Sequence, residues 1–327
     1  MIKIICTIGP KSYKKNILQK FKKNNVNLYR INLSHTKIQS LSKKLVFFKN
    51  NKISNICIDT EGAQIRTTIL KRQFLKKNTK IIFNNKIHNK TKNIIGLYPS
   101  FNFSNIKKNS KILIGFESLC AKVIDVNKDF ITAEISESGI VESNKGVHIV
   151  NQKILLPYLT LKDIKAIKIA KKMGVKFFAL SFANLPNDVD KFRQLIGKKN
   201  KLITKIETSL ALKNSSKIIK KSDAVLIDRG DLSRYVPLER IPVEQIRIIN
   251  QGKKQSKPVY IATNLLETMI KSKYASRAES NDIFSSLMQG CSGLVLAAET
   301  AIGNYPVECV EFIKKCIKTF LKYKKNL

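Results

Sequence analysis

No apolar run in this chain approaches the roughly 20 residues a bilayer crossing needs, and Met1 leads almost directly into the strand-like Lys3-Ile4-Ile5-Cys6-Thr7. Neither a membrane span nor a cleavable signal is expected, and a cytoplasmic location is. Paired cysteine spacing is lacking as well. Cys6, Cys57, Cys120, Cys291, Cys309 and Cys316 are scattered through apolar patterns, which argues against a zinc site or a disulfide framework and for small reduced core residues. Acidic residues are scarce, 23 against 61 Lys and Arg, for a net charge of +38. Such a surface attracts phosphate, but lysine dominates arginine and the charge is spread over the whole chain instead of forming one block. Salt-dependent sticking to polyanions is expected, and a specific nucleic-acid partner is not.

What is present is a rhythm. Short β-branched runs at Ile2–Thr7, Leu28–Asn32, Ile56–Asp59, Phe177–Ser181, Leu202–Lys205, Ala224–Ile227, Val259–Ala262 and Leu294–Ala297 alternate with lysine-rich segments of helical period. Eight such units predict an α/β fold, a parallel (β/α)8 barrel. One helix is expected over Leu161–Met173, opened by Thr160 with Asp163 three residues on and stopped at Gly174. Residues 68–155 break the rhythm with short alternating segments (Thr79–Phe83, Lys111–Ile114, Phe130–Ile135) and asparagine-rich turns, the pattern of an inserted small β domain. The remainder, 1–67 and 156–327, amounts to about 240 residues, close to the size of one ordinary barrel.

Polar residues unsuited to a core collect where the apolar runs end. Arg30, Asn32 and Ser34 mark the second run, Asp59 and Thr60 the third, Lys205 and Glu207 the fifth, Asp231 the sixth, Thr263 the seventh, and Glu299 and Thr300 the eighth. In a parallel barrel these ends open on one face, where active sites form. Glu207 and Asp231, on neighbouring ends, can hold Mg²⁺ or Mn²⁺, since hard cations favour oxygen ligands. Thr263 can also be read as the N-cap of a following helix.

These residues fall within motifs that resemble those of the pyruvate kinase family, in the family's order. Ile4-Ile5-Cys6-Thr7-Ile8-Gly9-Pro10 resembles its opening strand, Arg30-Ile31-Asn32-Leu33-Ser34-His35 its "R-x-N-x-S-H" segment, and Asp59 to Thr67 its "D-T-K-G-P-E-I-R-T". Lys205-Ile206-Glu207 is similar to the catalytic "K-I-E", Arg229-Gly230-Asp231-Leu232 to the metal-site "R-G-D-L", and Ala262 to Ile270 to "A-T-Q-M-L-E-S-M-I". The resemblance implies phosphoryl transfer between phosphoenolpyruvate and ADP, giving pyruvate and ATP, in a homo-oligomer. It implies Glu207 and Asp231 as divalent-metal ligands and Asn32, Ser34, Asp59 and Thr60 as a monovalent-cation site for K⁺. It gives Lys205, Thr263 and Arg30 catalytic roles, with Lys205, Gly230, Asp231 and Thr263 against the substrate. Arg30, Arg66, His35 and Lys145 are the implied nucleotide contacts.

Four departures touch the implied site. Ile114-Gly115-Phe116-Glu117-Ser118 replaces an Asp-Asp-Gly turn of the inserted domain, and Asp228 stands where the family has a small residue beside the substrate carboxylate. A second negative charge there calls for compensation, for which Arg229 or a nearby lysine is expected. Ala297-Ala298-Glu299-Thr300 replaces "S-G-E-T", removing a hydroxyl from the proton-delivery network. Gln64 is neutral where potassium-dependent members carry glutamate and independent ones lysine, which leaves the K⁺ requirement open. The resemblance stops short of the family's C-terminal regulatory domain, so control by sugar phosphates is not expected. The alternatives are a metal-dependent pyruvate-enolate lyase or decarboxylase on the same barrel, or a degenerate, non-catalytic paralogue.

Overall fold

A computed structural model of the chain describes residues 1–62, 64–85, 93–115, 119–150, 152, 154 and 156–326. The chain divides into two units, Met1–Gly62 with Leu161–Leu327, and Ala63–Thr160. The second unit is slightly wider at each end than the expected 68–155 segment, whose limit at Leu155 lies outside the described residues.

The first unit is a closed barrel of eight parallel strands. They are β1 (Lys3–Thr7), β2 (Leu28–Asn32), β3 (Ile56–Asp59), β4 (Phe177–Leu180), β5 (Lys201–Ile206), β6 (Ala224–Asp228), β7 (Val259–Ala262) and β8 (Gly293–Leu296), each hydrogen-bonded to its sequence neighbours and β8 closing on β1. Helices follow the strands, among them Lys15–Lys23, Ile38–Asn50, Pro186–Ile196, Ile241–Lys254 and Pro306–Lys325. The strands form because both of their faces are covered, so β-branched residues bury on either side of the pleat. Ile5, Leu28, Cys57, Ala179, Ile203, Leu226, Tyr260 and Val295, one from each strand, pack as a single cluster that fills the barrel. No helix among the described residues is long and apolar enough to cross a membrane. All six cysteines are free, and five of them are buried.

The helix predicted after Thr160 runs Leu161–Lys172 and stops at Gly174, whose φ of +80° is the left-handed turn that glycine takes most readily. Asp163 does more than open it: its two carboxylate oxygens accept the amides of Glu61 (2.7 Å) and Gly62 (3.1 Å), fixing the loop that leaves β3.

In the second unit seven strands form one mostly antiparallel sheet, in the order Val147–Ile149, Lys111–Ile114, Cys120–Val126, Phe130–Glu137, Lys80–Asn84, Ile94–Tyr98 and Arg66–Thr67. Gly139–Val141 pairs separately with Gln73–Leu75. Burial alternates along Lys80–Asn84 and Phe130–Glu137, which delivers Ile81, Phe83, Ile131, Ala133 and Ile135 to a core of this unit's own.

Candidate active site

Side chains along a strand alternate faces, so the residue two places beyond each barrel-filling residue also points inward, one layer higher. Two residues past Ile5, Leu28, Cys57, Ala179, Ile203 and Leu226 stand Thr7, Arg30, Asp59, Ser181, Lys205 and Asp228. None is more than 7% exposed. An apolar layer is thus capped by a polar one at the strand ends.

Lys205 is the hub of that layer. Its ammonium lies 2.8 Å from Glu207 Oε2, 3.1 Å from Asp228 Oδ2 and 4.0 Å from Asp59 Oδ2, and it donates to Ser181 Oγ at 3.3 Å. Burial alone would discharge it, but Asp59, Glu207 and Asp228 outweigh burial and hold its pKa well above the ordinary lysine value. Arg30 is clamped beside it, with Nε donating to Asp59 Oδ2 at 2.7 Å and Nη1 to Thr7 Oγ1 at 2.8 Å. Burial acts against this charge too and is overcome by Asp59 and Asp228, which raise the Arg30 pKa.

Asp228 is compensated, though not by Arg229. Its partners are the Lys205 ammonium and the Thr263 hydroxyl, which donates to Oδ1 at 2.6 Å. Burial raises its pKa, while Lys205, the Thr263 hydrogen bond and Arg30 more than reverse that and leave it below the usual carboxylate range. Arg229 is committed elsewhere: Nη1 pairs with Asp282 at 2.8 Å, and Nε and Nη2 hold the Thr263 carbonyl at 3.1 and 2.8 Å. It supports an unusual turn, for Thr263 (φ +77°) and Asn264 (φ +57°) are both left-handed. A β-branched residue there costs about 1–3 kcal/mol unless its surroundings enforce it. The N-cap reading of Thr263 therefore fails, since its backbone is not extended as an N-cap requires and its hydroxyl is given to Asp228. Gly230 is required by the same turn, because a Cβ on it would meet Thr263 Cγ2 at 2.7 Å.

Glu207, Asp228 and Asp231 bring one carboxylate oxygen each within 4.8 Å of one another. Glu207 Oε1 accepts the amide of Phe182. Its Oε2 is buried and ion-paired with the Lys205 ammonium at 2.8 Å. Burial, with Asp231 and Asp228 close by, raises the Glu207 pKa in spite of Lys205. An all-oxygen donor set of clustered carboxylates fits a hard divalent cation.

Of the monovalent-site residues, Asn32 and Asp59 are register partners across β2 and β3. Asn32 Oδ1 accepts the Ser34 amide at 2.9 Å, and Thr60 Oγ1 accepts the Ser181 amide at 2.9 Å. His35 is exposed at the end of the short turn Leu33–His35. Arg66 and Lys145 belong to the second unit, where they meet: Arg66 Nη1 donates to the Asn144 carbonyl at 3.2 Å and Lys145 N to Thr67 Oγ1 at 2.9 Å, while Lys145 Nζ pairs with Glu142 at 2.7 Å. The Phe116-Glu117-Ser118 departure lies outside the described residues. Ala297, where a hydroxyl is missing, donates its amide to Glu299 Oε2 at 2.7 Å, and Thr300 Oγ1 reaches the Thr7 carbonyl at 2.9 Å.

Sequence reading passed over Ser181, whose Oγ contacts Asp59, Thr60 and Lys205. The period-two step from Ala179 that places it is the same step that leads from Leu28 to Arg30. It also passed over the Lys162 ammonium, which bonds the Leu33 carbonyl and lies 3.2 Å from Glu61.

The family model described as pyruvate kinase, barrel domain, matches residues 1–310. A pyruvate kinase of Thermotoga maritima is 34% identical over 97% of this chain and 70% of its own length. One of Staphylococcus aureus strain USA300 is 31% identical over 95% of this chain, which spans little more than half, 55%, of that relative.

Proposed function

The chain belongs to the pyruvate kinase family, and from that premise we propose that it transfers the phosphoryl group of phosphoenolpyruvate to ADP at the strand-end face of the barrel. The observation that carries the reading is Lys205, a buried ammonium gathered among Asp59, Glu207, Asp228 and Ser181, at the position of the family's catalytic lysine.

In this reaction the bond from phosphorus to the enol oxygen breaks, a bond to a terminal oxygen of ADP forms, and the enolpyruvate left behind takes a proton on carbon to become pyruvate. The protein's part in such a transfer is positioning and charge stabilisation. Lys205 stabilises the phosphoryl oxygens during transfer, and Arg30, held rigid by Asp59 and Thr7, presents a fixed guanidinium to phosphate. Thr263 is the proposed source of the proton to carbon, and its hydroxyl hydrogen is given to Asp228 in this structure. Glu207 and Asp231 would hold Mg²⁺ or Mn²⁺, and Asn32, Ser34, Asp59 and Thr60 a monovalent cation. The divalent ion, when bound, supplies neutralisation of the substrate oxygens. Arg30, His35, Arg66 and Lys145 are the positions that match the family's nucleotide contacts. The lyase and non-catalytic readings gain nothing from the family match.

A coupled assay with phosphoenolpyruvate, ADP and Mg²⁺ tests the proposal. Metal-dependent formation of pyruvate and ATP in equal amounts is expected, and Glu207→Gln or Asp231→Asn should lower it by orders of magnitude. Pyruvate without ATP, or no turnover with any divalent metal, would overturn it.

A further inference from the structure

We propose that the opposite mouth of the barrel, at the N-terminal ends of its strands, binds a small, multiply charged anion, a phosphate compound or a polycarboxylate. The site goes beyond the kinase reading and stands without it. Lys201 and Lys205 are four residues apart on β5, so this mouth lies about 13 Å from the polar layer at the other end.

The pleat that leads from Ile5 up to Thr7 and from Ile203 up to Lys205 also runs downward. Two residues before the barrel-filling layer, the inward positions include Lys3 on β1, Phe177 on β4, Lys201 on β5, Ala224 on β6 and Gly293 on β8. Alanine and glycine put almost no volume there. Gly293 can carry no side chain, because a Cβ on it would lie 2.7 Å from the Lys3 carbonyl and 3.0 Å from Tyr260 Cδ1. The layer is left open as a recess of about 490 Å³, with Leu28, Ile203 and Tyr260 of the barrel filling at its floor and Lys3, Lys201 and Lys257 in its wall. Small-molecule sites have about this size, roughly 300–1,000 Å³.

Lysine is abundant on this chain, but Lys3 and Lys201 occupy positions that the strand period turns toward the barrel axis and away from the outer surface. Both are exposed, through the mouth. Among the described residues no ion pair engages the ammonium of Lys3, Lys201 or Lys257. The Lys3 ammonium stands over the Tyr260 ring, 6.0 Å from its centre. The lining holds one carboxylate, Asp223, and it is committed: Oδ2 accepts Arg193 Nη2 at 2.6 Å and the Leu202 amide at 2.7 Å. Like charges gathered round one recess repel, and an anion bound among them relieves that repulsion. Ammonium groups on flexible stems act as point charges, which suits compact anions of high charge.

The chain has no tryptophan, so Phe177→Trp places a single fluorescent reporter in the recess. It is titrated with pyrophosphate and with citrate, in EDTA and about 0.15 M salt. Its emission should change saturably with at least one of them, at a dissociation constant below about 1 mM. A response to pyrophosphate assigns phosphate chemistry, and one to citrate assigns carboxylate chemistry. In the same background, Lys3→Gln with Lys201→Gln should weaken binding at least about tenfold. Lys43→Gln with Lys168→Gln removes equal charge from exposed helix positions and should leave binding unchanged. Calorimetry on the chain without the reporter should repeat the pattern, with circular dichroism showing each variant folded. No saturable binding of either anion, or equal weakening by the two lysine pairs, would overturn the proposal and leave only the diffuse attraction of a +38 chain.

Discussion

Thr263 gives its hydroxyl hydrogen to Asp228 across 2.6 Å, and it does so from a backbone held at φ +77°. Hydrogen bonds to a charged group contribute about 1.5–3 kcal/mol, enough to offset much of the cost of the left-handed turn. Thr263→Val keeps the shape and removes the donor, so it should lower unfolding free energy by about 2 kcal/mol, whereas Thr263→Ser should retain most of the stability. Urea unfolding of the two variants checks this. Identical midpoints would mean that the bond contributes nothing to the fold.

Gly230→Ala should lower turnover by about ten- to a hundredfold, because the added methyl runs into Thr263 Cγ2 at 2.7 Å and displaces the hydroxyl. The double variant Gly230→Ala with Thr263→Ser lacks that methyl contact and should recover most of the loss. Steady-state kinetics on the single and double variants read the coupling. A double variant no better than Gly230→Ala would place the damage elsewhere.

Lys205→Met leaves Glu207 and Asp228 buried without their cation. Breaking buried pairs in this way destabilises by about 3–5 kcal/mol, and turnover should fall by about a hundredfold or more. Lys205→Arg restores the charge but brings a planar fork into a cage shaped for a point charge, so little activity should return. Full activity in the arginine variant would show that charge alone suffices.

Thiol reactivity reports on the core. Burial pushes the Cys291 and Cys309 thiols up to about 12 and raises those of Cys6, Cys57, Cys120 and Cys316 as well. Cys316, half-buried on the helix Pro306–Lys325, is the most accessible of the six. A thiol reagent should label one cysteine ahead of the rest in the native protein, faster as pH rises because burial raises the Cys316 thiol, and six after denaturation, and Cys316→Ser should abolish that first phase. Fast labelling of a second site would contradict the closed core.

The barrel was legible because each of its strands is buried on both faces, so that β-branched runs report position directly; Leu28–Asn32, Ile56–Asp59 and Val259–Ala262 fall where they were expected. The site was legible as a list of polar residues at strand ends. Its wiring was not, because wiring depends on side-chain direction across the barrel. Lys205 was placed at the end of its strand yet lies within β5, pointing inward. The compensation of Asp228 was expected from Arg229 or a nearby lysine; adjacent residues on a strand or turn diverge, and it is the lysine on β5, one strand away, that supplies it. The reversed backbone at Thr263 carries no glycine to announce it, so an extended cap stood as an alternative local reading beside its catalytic one.

The stacking of an oily layer beneath a charged one, two residues apart on the same strands, ties chemistry to folding in a way that bears on how this barrel can diverge. A single-residue insertion or deletion inside β2, β5 or β6 would turn the ions beyond it toward the helices and roll isoleucine or leucine into the mouth, destroying core and catalysis together. Length variation is therefore confined to the loops beyond the strands. Within the strands, descendants of this sequence can change residues but not their count.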